Sequence, residues 1–242
     1  MTASPLLIEE TNLSNAWCKV MKHVVINPGK EITPLLLTLT NFEESNDIRE
    51  ILDSSLKSNQ RASVQTVAET IFPDSLYKFY GYDRHALYEG YLSILPRIKK
   101  IDSKNRKGTY FERLIAFDGK TNQLETVISS YLKDKGVRRS KLQAAIFDPR
   151  KDHTNGPYQG FPCLQHVTFF VSSNGGLILN SFYAMQYLYE RAYGNWLGLI
   201  NLGKFMAKEL QLKFERFNCY IGIEQLDYLT KTQAQSLLKM AN

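Results

Sequence analysis

The sequence lacks the features that mark several classes of protein. Its three cysteines, Cys18, Cys163 and Cys219, lie far apart and form no Cys-x-x-Cys pair. This argues against a disulfide scaffold or zinc ribbon and favours a reducing compartment, the cytoplasm. No apolar run is long enough to span a membrane, so no membrane partner is expected. The amino terminus has no basic residue before its apolar stretch, so a secretory signal is not predicted.

Motifs that bind nucleotide phosphates through glycine-rich loops are missing too. There is no Walker loop and no Gly-x-Gly-x-x-Gly, and Gly175-Gly176 is interpreted as a turn. Asp152-His153 and His166 have no third ligand at useful spacing, so no metal site is predicted.

The composition is that of a globular domain with a small excess of basic charge. The chain has 242 residues, of which 43% are hydrophobic, and this predicts one domain over residues 1–242. Thirty basic and 24 acidic residues give a net charge of +6. That charge suits a small anionic ligand but is too weak to indicate nucleic acid. The most basic stretch, residues 97–107, is predicted to be a solvated loop, with a phosphate-binding arm as the alternative.

Apolar periodicity places helices early and hairpin strands late in the chain. Asn174-Gly175 between two apolar runs is a strong hairpin signal. The pattern predicts an α+β fold with a largely antiparallel or mixed sheet and flanking helices. Helices are predicted at residues 17–20, 45–58, 76–95, 122–135 (capped by Thr121), from Asn195 onward, and 230–240. Strands are predicted at residues 34–40, 142–147, 166–172, 177–183 and 217–226.

Three positions are candidates for chemistry on their pattern alone. Cys163 stands at the mouth of a hairpin strand, where a nucleophile can meet a substrate, although a free cysteine is often a buried apolar residue. Arg138-Arg139 follows a helix and can direct two guanidinium groups at an anion, or can simply be solvated. Asn195 is a candidate helix N-cap, and its carboxamide is alternatively suited to the edge of a planar base.

Taken together, these segments resemble the thymidylate synthase and deoxycytidylate hydroxymethylase superfamily over residues 64–227. The resemblance rests on the order and spacing of several short segments. They are Glu69, Gly108-Thr109-Tyr110, Asn122-Gln123-Leu124, Arg138-Arg139-Ser140, Phe147-Asp148-Pro149, Pro162-Cys163, and Asn195 followed without a gap by Met206-Ala207.

The resemblance implies a thymidylate synthase-like fold and a one-carbon transfer to C5 of a pyrimidine. A Cys163 thiolate would add to C6, and methylenetetrahydrofolate would supply the one-carbon unit, which ends as a methyl or a hydroxymethyl group. Asn195 would read a uracil-type ring, while Glu69 and Tyr110 would move protons. By the same resemblance, Arg138 and Arg139 would reach the phosphate site of a homodimer partner.

The sequence departs from the family pattern where the family binds phosphate, ribose and folate. Ala184-Met185 replaces an Arg-Ser pair, and Tyr187 replaces a folate-contacting Asp. Gln225, which we expect to bind substrate, stands in place of a ribose-binding His. A changed pyrimidine nucleotide or nucleoside substrate is therefore expected. The alternative is a non-catalytic nucleotide-binding or assembly protein that keeps the fold and dimer, and nucleic-acid binding ranks last.

Overall fold

The computed structural model describes residues 5–101, 103–157 and 160–241. Its strands are β1 (Leu6–Asn12), β2 (Glu31–Ile32), β3 (Leu35–Glu43), β4 (Gln143–Ala145), β5 (Leu164–Val171), β6 (Gly176–Tyr187) and β7 (Lys213–Gln225). Its α-helices are α1 (Leu13–Ile26), α2 (Asn46–Ser58), α3 (Val64–Ile71), α4 (Asp74–Phe79), α5 (Arg84–Ile101), α6 (Tyr110–Ile115), α7 (Gln123–Lys133), α8 (Pro149–Asp152), α9 (Tyr193–Glu209) and α10 (Lys231–Met240). A π-helical turn, Leu188–Ala192, leads into α9.

The strands form one open mixed sheet in the order β1-β3-β7-β6-β5-β4, with β2 pairing with β7. The β1–β3 and β6–β7 pairs are parallel, and the others are antiparallel. The predicted hairpin is confirmed: β5 and β6 pair across a turn in which Gly175 has a φ of +76°, a value that glycine adopts readily. The α+β class with a mixed sheet and flanking helices is likewise confirmed.

One face of the sheet is covered by helices and forms the core. Alternate residues of β3 and β7, among them Leu37, Phe217 and Ile221, are almost fully buried. Helix α9, which contributes Trp196, packs on β6 and β7. Burying these side chains is the main favourable term in the free energy of folding.

The opposite face carries a row of side chains that crosses six strands in register. Leu7 is paired with Leu36, Leu36 with Tyr220, Tyr220 with Phe182, Phe182 with His166, and His166 with Ala145 on β4. The Phe182 and Tyr220 rings stack at 5.2 Å, and each residue is about 40% exposed. No helix among the described residues covers this row, which we call the open-face row.

Alternation along β6 and β7 reverses at one point. Tyr183 and its register partner Ile221 are buried, and three residues further on Gln186 and its partner Glu224 are buried as well. Strict alternation would put residues three apart on opposite faces. The reversal occurs around Gly222, where a Cβ would lie 2.7 Å from the Ala184 carbonyl oxygen. The alternation of buried and exposed residues is therefore broken on both strands at this point, which we call the kink, and Gln186 and Glu224 are buried beyond it.

Two predicted segments were wrong. Residues 97–107 are not a loop: residues 97–101 end α5 and residues 103–107 form a 3₁₀ helix, while Asp102 lies outside the described residues. The helix continues because Ile98 packs on the core and Lys99 pairs with Glu112 at 2.7 Å. Residues 76–95 are not one helix, because Gly81 and Tyr82 have positive φ values that break it into α4 and α5.

Two predicted helix caps were wrong. Helix α7 is capped by Asn122 rather than Thr121, and the Asn122 side chain accepts a hydrogen bond from the Glu125 amide at 2.9 Å. Asn195 is not an N-cap, since it lies in the first turn of α9 and helical structure already begins at Leu188.

Candidate functional site

Cys163 is exposed and lies directly before β5. Its carbonyl oxygen accepts a hydrogen bond from the Ala184 amide at 3.1 Å, which fixes the backbone against β6. Nearby protein atoms still remove part of the hydration of the thiol, so its pKa is raised above the ordinary value. The thiol is thus accessible, but it is mainly protonated near neutral pH.

Arg191 supplies the positive charge that acts on this thiol. Its guanidinium lowers the pKa of Cys163 and so opposes the effect of burial. Arg191 lies in the π-helical turn before α9, and sequence reasoning missed it. Arg191 lies four residues before Asn195, a spacing that places two residues on the same face of a helix. Nothing in the sequence pattern indicated that the helix extends back to Arg191.

Tyr110, at the start of α6, lies beside the same thiol. The backbone N–H groups of Cys163 and Leu164 lie close to its hydroxyl and lower its pKa, but burial and the Cys163 charge outweigh them and the pKa is raised. Its ring packs on Phe161 with the centroids 5.2 Å apart. The structure therefore brings together two predicted residues, Cys163 and Tyr110, with one that was not predicted, Arg191.

A buried ion pair holds α6 against the segment that leads to Cys163. Arg113 donates two hydrogen bonds to the Asp152 carboxylate, at 2.7 and 3.2 Å, and both side chains are less than 10% exposed. The Arg113 guanidinium also lies 5.3 Å from the centre of the Phe161 ring. Because two parallel N–H···O bonds fix an orientation, this pair aligns Tyr110 with the chain before the thiol.

Asn195 is 5% exposed and lies where α9 packs closely on α3. The neighbouring Gly194 makes this approach possible, since a Cβ there would lie 2.5 Å from Val67 Cβ. The Asn195 carboxamide has no hydrogen bond to any residue that the structure describes. A buried carboxamide normally has a partner, so this group is suited to receive one from a ligand.

No contact among the described residues places Glu69 near the Cys163 thiol. Its carboxylate accepts hydrogen bonds from Gln65 at 2.7 Å and from the Ser75 hydroxyl and amide at 2.7 and 3.1 Å. These bonds join α3 to α4. Its predicted proton-transfer role therefore receives no geometric support.

The other predicted binding residues lie beside the edge strand β4 and at the end of the central strand β7. Arg138 and Arg139 are exposed, and the Arg139 guanidinium lies 5.1 Å from the centre of the Phe170 ring. Gln225 ends β7 beside Tyr187 and Glu31. Two residues further on, Asp227 accepts a hydrogen bond from the Tyr189 amide at 2.8 Å, and so holds the turn that carries Arg191.

The kink beneath the site contains buried polar groups without protein partners. Both carboxyl oxygens of Glu224, both amide atoms of Gln186 and the Tyr183 hydroxyl have no hydrogen bond to any described residue. Each such atom left dry costs about 1–3 kcal/mol, so together they would cancel a typical net stability of about 5–15 kcal/mol. Internal water is the usual partner of such groups.

The surroundings of Glu224 favour the neutral form of its carboxyl group. It is 0% exposed, and burial, together with the smaller effect of Asp227, raises its pKa well above the usual range. Sequence reasoning missed this residue because a glutamate near a strand end is normally exposed.

Two features are absent from the described residues. Across residues 5–101, 103–157 and 160–241, no group of three or more His, Cys, Asp or Glu side chains is arranged to hold a metal ion. No helix in the same ranges is long and apolar enough to cross a membrane.

No model of a known protein family fits the chain, and none of the curated proteins is similar to it.

Proposed function

We propose that the chain is a thymidylate synthase-like transferase that acts at C5 of a pyrimidine nucleotide or nucleoside. The observation that carries this proposal is the exposed Cys163 thiol with the Arg191 charge and the Tyr110 hydroxyl beside it. Addition of sulfur to C6 of the ring turns C5 into a carbon nucleophile, which then takes a one-carbon unit. The product carries a methyl or hydroxymethyl group.

Each of these side chains has a distinct task in the proposed reaction. Arg191 favours the thiolate that attacks, and its charge attracts an anionic substrate. Tyr110 presents a hydroxyl close to the sulfur and moves a proton there. The buried Asn195 carboxamide pairs with the ring edge and steadies the charge that develops on its oxygen, which fits a uracil-type ring.

The residues around the thiol meet only part of what methylenetetrahydrofolate needs. The Tyr110–Phe161 ring pair offers an aromatic surface on which a pterin can stack. The folate-contacting Asp of the resembled family has no counterpart here, because no carboxylate among the described residues acts on the Cys163 thiol. The charged group that does act on it is Arg191. The proposal therefore rests on thiol addition, and no step is derived through the folate.

The test separates addition to the ring from transfer of carbon. Intact-protein mass spectrometry after incubation with 5-fluoro pyrimidine nucleotides and methylenetetrahydrofolate should detect a covalent adduct that Cys163→Ser abolishes. Cys18→Ser is the matched control, because burial raises the pKa of Cys18 to about 11. Exchange of the C5 hydrogen in D₂O needs no carbon donor and reports addition alone. Neither adduct nor exchange with any uracil or cytosine substrate would refute the proposal.

A second candidate is a nucleotide-binding or assembly protein without turnover. The raised pKa of Cys163 favours it, as does Ala184-Met185 where the resembled family has a phosphate-binding pair. Thermal-shift assays with a nucleotide panel, with and without folate, distinguish the two. Stabilisation by nucleotides alone, with no adduct, would support the binder.

A homodimer is part of the same proposal. The open-face row presents apolar and aromatic side chains on a sheet face that no described helix covers. A second copy of this face would cover that apolar surface.

A further inference from the structure

The proposed reaction requires an acid that can give a proton to the ring oxygen, and Glu224 is a buried carboxyl group. It lies opposite Gln186 in the kink, and neither side chain has a hydrogen-bond partner among the described residues. Buried polar groups without protein partners are the usual binding places of internal water. The kink is therefore a cluster of polar groups suited to internal water, with one ionisable carboxyl in it.

Tyr183 connects this cluster to the thiol. It is fully buried, its hydroxyl also has no partner in the described part of the chain, and it lies three residues before Gln186 on β6. Tyr183 is paired in register with Leu164, the residue after Cys163, and Gln186 is paired with Glu224. Tyr183 therefore lies on β6 between the strand end that carries the nucleophile and the buried acid.

We propose that Glu224 holds the proton that the site gives to the bound ring, passing it through internal water and Tyr183. The Glu69 carboxylate, by contrast, accepts hydrogen bonds from Gln65 and Ser75 and joins α3 to α4. Glu224 acts through other groups, so it is a positioning residue. The inference rests on the proposed function, since thiol addition creates the oxygen charge that the proton neutralises.

Every proton that moves during the addition has a donor and an acceptor. As sulfur bonds to C6, the electron pair of the C5–C6 double bond moves toward the ring oxygen, and the thiol proton leaves to solvent at the exposed side of Cys163. Glu224 becomes a carboxylate as its proton travels along the water and Tyr183 to that oxygen. Exchange at C5 follows when C5 of the adduct takes a deuteron from water, the oxygen returns its proton to Glu224, and the original C5 hydrogen then leaves as a proton to water. Elimination of the thiolate restores the C5–C6 double bond.

The ionisable groups that act on Glu224 or respond to it are Asp227, Cys219 and Tyr183. The negative charge of Asp227 favours the protonated form of Glu224. The pKa of Cys219 is itself raised by burial, so this thiol stays neutral and adds no competing charge at neutral pH. Activity should accordingly be lost at high pH, when Glu224 loses its proton.

The experiment measures C5-hydrogen exchange in D₂O against pH for the wild type, Glu224→Gln, Glu224→Asp and the control Glu50→Gln, which changes an exposed glutamate on α2. We expect Glu224→Gln to exchange at least about tenfold more slowly, to lose the high-pH limb of the profile and to change KM little. Glu224→Asp should recover part of the rate, and Glu50→Gln should exchange like the wild type. Circular dichroism checks that each variant is folded.

Infrared spectroscopy supplies a readout independent of turnover. The carbonyl band of a protonated carboxyl should be present in the wild type at pH 7, absent in Glu224→Gln, and shifted when iodoacetamide alkylates Cys163. Absence of the band, or a band unmoved by alkylation, would overturn the inference. A wild type that forms no adduct refutes the proposed function, whereas adduct formation with wild-type exchange in Glu224→Gln refutes only the assignment of Glu224.

Discussion

A thiol attacks as its thiolate, so the charge beside Cys163 decides how reactive this residue is. Burial raises the pKa of Cys163 and Arg191 lowers it. Removing the guanidinium with Arg191→Gln should raise the pKa further. We expect the alkylation rate by iodoacetamide at pH 8 to fall roughly threefold, because less of the thiol is then ionised. The wild-type rate should still be increasing above pH 9.

The control for this measurement is Arg139→Gln, which removes an exposed guanidinium that lies over Phe170. Equal alkylation rates in Arg191→Gln and the wild type would show that Arg191 does not set the reactivity of the thiol.

Ionisation of Glu224 should make the free energy of unfolding fall as pH rises, whereas a paired carboxylate makes it rise with pH. Its pKa in the folded chain is raised well above that of the unfolded chain, so the neutral form stabilises the fold. This stability is complete below the unfolded pKa, near 4.3, and is lost as pH rises toward the folded pKa, by up to about 1.4 kcal/mol per pH unit. Urea unfolding from pH 5 to 9 should show the decline in the wild type.

Glu224→Gln cannot ionise, so its unfolding free energy should decline less over the same range. Glu50→Gln, which changes an exposed glutamate on α2, should behave like the wild type. Parallel pH profiles for the wild type and Glu224→Gln would contradict a raised pKa at Glu224.

At the scale of elements, the close approach of α3 and α9 sets the position of Asn195. A Cβ at Gly194 would lie 2.5 Å from Val67 Cβ and 2.8 Å from the Val64 carbonyl oxygen. Gly194→Ala should therefore push the helices apart and lower the unfolding free energy by about 1–3 kcal/mol. It should also weaken nucleotide binding, because Asn195 moves with α9.

Gly156→Ala is the matched control for this change. A Cβ at Gly156 has no heavy atom within 4 Å, and its φ lies outside the left-handed region, so stability should stay within about 0.5 kcal/mol of the wild type. Chemical denaturation measures both variants. Unchanged stability of Gly194→Ala would contradict the close packing of α3 on α9 at Gly194.

The elements that could be predicted are those encoded by local pattern. Asn174-Gly175 specified its hairpin, and the apolar stripe of α7 specified a helix, because both depend on neighbours in the chain. Strand β1 was missed, since its parallel pairing with β3 depends on residues about thirty positions away. The kink could not be predicted, because burial of Gln186 and Glu224 reverses the alternation on which strand prediction rests.

The candidate site was predicted in part for the same reason. Cys163 and Tyr110 were found from order and spacing, and the structure brings them together. Arg191 and Glu224 were not found, because their roles depend on the π-helical turn and the kink, which are tertiary features. Glu69 was placed by spacing alone, and spacing does not report that its hydrogen bonds join α3 to α4.

At the scale of the whole molecule, the open-face row is the surface whose burial would change the assembly. Tyr220 and Phe182 stack at its centre, and the neighbouring Leu36 is also 40% exposed. An apolar row that crosses a whole sheet is suited to a symmetric partner, because a two-fold axis sets the same patch against itself. Sedimentation equilibrium should detect a dimer at micromolar concentration.

Tyr220→Lys should shift that equilibrium to monomer, because dimerisation would bring two charges together in a desolvated interface. Phe79→Lys is the control, since Phe79 on α4 is 79% exposed and lies outside the sheet, and this variant should remain a dimer. Tyr220→Lys should also keep the unfolding transition of an isolated subunit, because its side chain contributes to the open-face row rather than to the core. A wild type that is monomeric at all concentrations, or a Tyr220→Lys variant that is still dimeric, would show that the copies do not associate through this face.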